Sequence, residues 1–159
     1  MKPYNINDIA DYVIMQLTSD EEMPLINLKL QKLLYYIQAW SLGIEKCTMF
    51  NGKFQAWVHG PVNREIYERF LDKSLYGFIT RNDIRNADVA LCNADADFTK
   101  YILDNYAGFS GAQLERMTHE ETPWQEARRG FAPEKRCTRE ISEHTMLVYY
   151  AQRWEEINQ

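Results

Sequence analysis

Three histidines and three cysteines are the side chains with which this chain could run nucleophilic, acid–base or metal chemistry. His119 is followed by Glu120, the opening of a zinc-protease pattern. Pro123 stands where the second histidine is needed, and it would break a single helix carrying both ligands. Cys47, Cys92 and Cys137 lie far apart, and no Cys-x-x-Cys pair occurs. That spacing disfavours both a disulfide framework and a zinc site, and the three thiols are expected to act as small apolar fillers. The seven glycines are scattered, so no phosphate-cradling loop forms. Gly108-Phe109-Ser110-Gly111 has the wrong spacing for a nucleophile elbow, and Ser110 is better explained as a helix cap. A Cys–His dyad requires only that its partners meet in space, and no spacing here singles one out. No catalytic, cofactor-binding or metal-ligating residue is assigned, and the chain is expected not to be an enzyme.

The residues suited to binding are more distinctive. Lys29, Lys32 and Tyr36 are spaced i, i+3 and i+7, so they can share one face of a helix. They read either as a basic, aromatic rim for an acidic protein patch or as a solvated face with a buried tyrosine. Arg128, Arg129, Lys135, Arg136 and Arg139 stand against the single acid Glu134, so residues 128–139 carry +4 within a chain of net charge −5. Such a segment suits an acidic partner or a phosphate backbone, or else pairs with Glu126 and Glu140. The negative total argues against nonspecific nucleic-acid binding as the main activity. His119, beside Trp124, is either a partner contact or pH-sensitive group, or a ring whose nitrogens tie the turn together. The wealth of capping residues around it favours the second.

These residues must be positioned by helices. At 159 residues the chain fits one domain able to bury most of its surface. No apolar run approaches the roughly 20 residues of a bilayer span. The first residues lead into a charged amphipathic pattern rather than a signal-peptide core, which points to the cytoplasm. After Asn7, a good cap, Ile9, Val13 and Leu17 give a first helix one apolar stripe, and Pro24 interrupts. A second helix starts near Asn27, buries Leu30, Leu33, Leu34, Ile37 and Trp40, and ends at Gly43. Asn51-Gly52, flanked by Thr48–Phe50 and Lys53–Trp57, predicts a hairpin. Gly60-Pro61 predicts a turn, with Pro61 opening a helix that carries Val62, Ile66 and Phe70. Residues 74–96 read as a long connection with at most one helical turn, and Asp97 as the cap of a fourth helix ending at Gly108. Ser110 with Gln113, and Thr122 with Gln125, form capping boxes, with Pro123 in the first turn. A last helix over 142–156 buries Met146, Tyr149 or Tyr150, Trp154 and Ile157. The predicted fold is mainly α, a compact single-domain bundle of about six helices with one small β-hairpin near residues 48–57. Its core is expected to hold Leu30, Leu33, Leu34, Ile37, Trp57, Ile66, Phe70, Leu114 and Trp124.

Four fragments occur in order: Leu30-Gln31-Lys32-Leu33-Leu34-Tyr35-Tyr36, Phe54–Val62 ending in Trp57-Val58-His59-Gly60-Pro61-Val62, Ser110-Gly111-Ala112-Gln113-Leu114, and Thr118-His119 leading to Pro123-Trp124. Together they resemble the Panacea domain of the SocA-like antitoxins, also seen as phage-associated proteins. The likeness spans about residues 6–157, with Asn63 and the polar segment 77–96 as departures. It implies one antitoxin domain over 1–159, belonging to a type II toxin–antitoxin system and neutralising a co-encoded toxin by direct binding. Delivery of that toxin to a ClpX-type protease is one route. Pairing with a second copy of itself is a further partner option, and a nucleic-acid-binding regulator using residues 128–139 is the alternative function. No cofactor is implied. Partner contact is assigned to Lys29, Lys32, Tyr36, His59, Arg64, His119, Arg128 and Arg129. A structural role is assigned to Leu30, Gln31, Tyr35, Trp57, Gly60, Pro61, Ser110, Gly111, Leu114, Pro123 and Trp124.

Overall fold

A helix buried on every side forms the centre of a domain, and the second helix is buried so here, its polar side chains included. In the computed structural model, which describes residues 2–19 and 24–159, α2 runs Asn27–Trp40 with every residue buried. Around it pack α1 (Ile6–Leu17), α3 (Arg64–Arg69), α4 (Asn93–Tyr106), α5 (Gly111–His119), α6 (Thr122–Ala127) and α7 (Glu143–Ile157). One apolar cluster joins α1, α2, α4, α5 and α7 through residues such as Ile9, Leu33, Ile102, Leu114 and Tyr150. The mainly helical class expected from periodicity is what forms, with seven helices among the described residues.

The strands are short and form three separate pairs. β1 (Tyr4–Asn5) runs parallel to β3 (Phe50–Asn51), and β2 (Leu25–Ile26) antiparallel to β6 (Phe78–Ile79). β4 (Gln55–Trp57) pairs antiparallel with β5 (Gly60–Val62), with Trp57 opposite Gly60 and Gln55 opposite Val62. The predicted Asn51-Gly52 hairpin is therefore corrected. The Gln38 side chain from α2 accepts from the N–H groups of Met49 and Phe50 and donates to the Phe50 carbonyl at 2.8 Å. That bracket commits Phe50–Asn51 to β1. The chain turns back instead at Val58-His59, where Gly60 takes φ +89°, open to glycine at no steric cost. Pro61 lies in β5 and does not open a helix. The cap of α3 is Asn63, whose Oδ1 accepts from the Ile66 N–H at 3.0 Å.

Other boundaries shift for equally local reasons. Asn5, not Asn7, caps α1 by accepting from the Asn7 N–H. The Ser110–Gln113 box forms in both directions. The Thr122–Gln125 box does not, because Gln125 reaches back to the His119 carbonyl at 2.8 Å. α2 does not end at Gly43. It continues as a π turn, Ser41–Glu45, closed by Lys46 at φ +61°. Gly43 is required by contact, since a Cβ there would sit 2.6 Å from the Tyr150 Cβ of α7. Within 77–96, Asp11 accepts from the N–H groups of Arg85 and Asn86 and pairs with buried Arg69, so an α1 carboxylate shapes the connection. α4 begins at Asn93, ahead of Asp97.

Eight of the nine expected core residues are buried. Trp57 is the exception. Alternation along β4 turns Ala56 inward and leaves Trp57 half-exposed. Ile157, expected inside, is 59% exposed at the end of α7. Of the cysteines, Cys137 is buried, whereas Cys47 and Cys92 are exposed and so are not fillers. No helix among the described residues is long and apolar enough to cross a membrane.

Candidate functional site

Buried polar side chains must find partners inside the protein, and on α2 they brace the strands. Gln31 donates to the Asn63 carbonyl at 3.0 Å and accepts from the Asn63 N–H at 2.8 Å. Lys32, with no exposure, donates to the Pro61 carbonyl at 2.8 Å. Gly60 makes this possible, because a Cβ there would lie 2.7 Å from Lys32 Cε and 2.8 Å from Thr118 Oγ1. Desolvation pulls the Lys32 ammonium down to about 7, with Glu115 opposing. Lys29, 7% exposed, donates to the Ala107 carbonyl at 2.6 Å, and burial lowers its pKa. The solvent-facing rim expected of Lys29, Lys32 and Tyr36 therefore does not exist. The helix is covered on that face too, and each polar end is taken up internally.

Tyr36 ends on Glu121. The Tyr36 hydroxyl lies 3.2 and 3.1 Å from the two carboxylate oxygens, the Tyr150 hydroxyl donates at 2.6 Å, and Arg153 pairs at 3.2 Å. Burial raises the pKa of Glu121, while Tyr150, Arg153 and Tyr36 pull it back. The Tyr36 ring stacks on Tyr106 at 4.0 Å, and Trp40 Nε1–H donates to the Tyr106 hydroxyl at 2.8 Å. Sequence reading missed Glu121, Gln38 and the Asp11–Arg69 pair. Asn63 appeared only as a departure, yet it both caps α3 and completes the Gln31 bracket. Asn63 carried a local signal as an N-cap residue, whereas the other three have none, because each acts on residues remote in the chain.

Trp124 is buried and donates through Nε1 to the Trp57 carbonyl at 2.8 Å. His119 stacks on it at 4.1 Å and 21°, and burial lowers the histidine's pKa. Arg128 covers another part of the ring, 5.1 Å from the centroid. Its guanidinium is buried and donates to the carbonyls of Ala56, Ala132 and Lys135. Arg128 is thus the staple of the loop after α6 rather than one of its free charges. Arg129 is exposed, and its carbonyl accepts from Arg139.

Two of the surface grooves are lined by tryptophan and arginine together. One, about 420 Å3, is lined by Trp57, His59, Arg64, Tyr67, Arg136 and neighbours, and so unites the predicted contacts His59 and Arg64 with Arg136. His59 Nδ1 lies 3.1 Å from a Glu115 oxygen. The other, about 230 Å3, runs between α4 and α7, where Tyr101, Phe109 and Ile157 are exposed beside Trp154 and Arg153. Among the described residues no group of three His, Cys, Asp or Glu side chains is placed to hold a metal.

The result is a helical scaffold braced by side chain-to-backbone bonds, with aromatic and arginine side chains turned outward in two places. The chain belongs to the family described as antitoxin SocA-like, Panacea domain, whose model matches residues 30–125. That span opens at Leu30 on α2 and closes at Gln125 on α6, enclosing the Lys32–Gly60–Thr118 contact and the Tyr36–Glu121 pair, while Tyr150 and Arg153 of the Glu121 cluster lie beyond it. No curated protein and no solved structure matches the chain.

Proposed function

We propose that this protein is the antitoxin of a type II pair and neutralises a co-encoded protein toxin by binding it directly, in the cytoplasm, with residues 1–159 acting as one unit. The family match over residues 30–125 carries this reading. Neutralisation by occlusion needs no bond-making by the antitoxin. It needs a rigid surface of the size of an ordinary protein interface, roughly 800 Å2 per partner, with a few aromatic or arginine anchors. The braced α2 supplies rigidity, and the two grooves supply anchors of that kind. Delivery of the toxin to a ClpX-type protease is a finer version of the same reading.

The test is co-expression with the product of the neighbouring gene, read by growth and by pull-down. Expected is toxicity of the neighbour alone and rescue with a stable complex. Rescue with loss of the toxin and no stable complex would favour the adaptor route. A harmless neighbour that forms no complex would overturn the antitoxin reading.

A further inference from the structure

We infer that the groove between β4, the β4–β5 turn, α3 and residues 134–137 docks an acidic segment of a partner protein, one that sets carboxylates on either side of an aromatic or apolar side chain. This rests on the antitoxin reading and deepens it by assigning a surface and a partner chemistry.

The groove's apolar wall is Trp57 against Tyr67, edge to face at 4.9 Å, with both rings half-buried. Its cations are Arg64, whose side chain is 52% exposed and held only loosely by Glu68 at 3.4 Å, and Arg136. Arg136 is exposed and has no carboxylate within 4.0 Å among the described residues. Lys135 and Arg139, also exposed, stand on the same loop. Their placement is built in, since buried Arg128 pins the loop by its carbonyls and the chain then pairs with β4 through the Ala56 N–H and the Arg139 carbonyl at 2.8 Å. On a chain of net charge −5, Arg64 and Arg136 set two cations beside the Trp57 and Tyr67 rings. Aromatic and arginine side chains are the types that dominate interface energetics.

The choice of a peptide over a nucleic acid follows from the acids around the same groove. Glu134 lines it, Glu115 faces His59 and Glu68 flanks Arg64. A continuous phosphate chain along the groove would run past the Glu134 carboxylate, whereas discrete peptide carboxylates can be set against the arginines alone.

The experiment is association of the purified chain with the purified neighbouring-gene product, at low and high salt, for wild type, Arg64→Glu, Arg136→Glu and Arg85→Glu. The last applies the same charge change beside α1. Expected is a roughly tenfold slower association for Arg64→Glu and Arg136→Glu, a salt-weakened wild-type complex, and no change for Arg85→Glu. Circular dichroism melts confirm that each variant is folded, and Arg136→Gln stands in should Arg136→Glu melt early. A wild-type complex insensitive to both groove reversals but lost in Tyr101→Glu would overturn the inference in favour of the α4–α7 groove. Displacement of the partner by a single-stranded oligonucleotide, lost in Arg136→Glu, would overturn it in favour of nucleic acid. No complex with the wild type would defeat the antitoxin reading itself, and this assignment with it.

Discussion

Lys32 holds an ammonium group out of solvent against one carbonyl oxygen, Pro61 O, with Glu115 as the acid that opposes its deprotonation. Desolvation disfavours the charged form, so the folded value of about 7 lies below the ordinary 10.5. The sign follows from proton counting. Between those values the unfolded chain binds the proton and the folded chain does not, so stability rises with pH across that window. The penalty is fully present below the folded value and gone above the unfolded one. Lys32→Met keeps the volume and removes the charge. Urea unfolding at successive pH values should show wild type gaining on the variant by at most about 1.4 kcal/mol per pH unit above pH 7. Equal slopes in the two proteins would mean that Lys32 is not the titrating group. Gly60 belongs to the same contact, and its lack of a side chain is what admits Lys32 and Thr118 together.

Among the elements, the loop from Arg129 to Arg139 has no regular structure of its own, and Arg128 gives it shape from within. Hydrogen bonds from a buried guanidinium to carbonyls are worth more than neutral ones, and removing the donor strands the acceptors. Arg128→Met should therefore loosen this loop selectively. The amides of Phe131 and Lys135, bonded to the carbonyls of Arg128 and Ala132 at 2.8 and 3.0 Å, should exchange roughly a hundredfold faster, matching a local loss of about 2–3 kcal/mol. Amides of α2 should keep their protection. Uniform acceleration along the chain would instead show that Arg128 supports the whole fold. The segment that sequence composition marked as basic is thus one buried arginine holding several exposed cations in place.

For the whole molecule, the family match ends at Gln125 but the packing does not. Tyr150 of α7 is fully buried against Tyr35, Tyr36 and Trp40, with ring centroids 6.4, 6.4 and 5.0 Å away, and its hydroxyl completes the Glu121 cluster. A chain cut after Gln125 would expose that aromatic face and leave buried Glu121 without the Tyr150 and Arg153 bonds. We expect residues 1–125 alone to lack a cooperative melt by circular dichroism, and the full chain to melt in one transition. A folded, cooperative 1–125 fragment would show that α7 is an addition rather than part of the core.

What the amino-acid order determined by itself was local. A helix starting near Asn27, a last helix over about 142–156, the Ser110–Gln113 box and the burial of Leu30, Leu33, Leu34 and Ile37 all follow from spacings within a few turns of helix, and the structure shifts only the helix ends. The ordered motifs also carried the family. The tertiary structure decided which strand pairs with which, since Gln38 draws Phe50 to β1 over the attraction of an Asn-Gly turn. It also decided that Lys29, Lys32, Tyr36 and Arg128 face inward while Arg64 and Arg136 face out. The physical reason is one of range. Periodicity states which face of a helix is apolar, but only contacts between remote residues state whether the opposite face is covered. A polar side chain reads alike in sequence whether water or a buried carbonyl satisfies it.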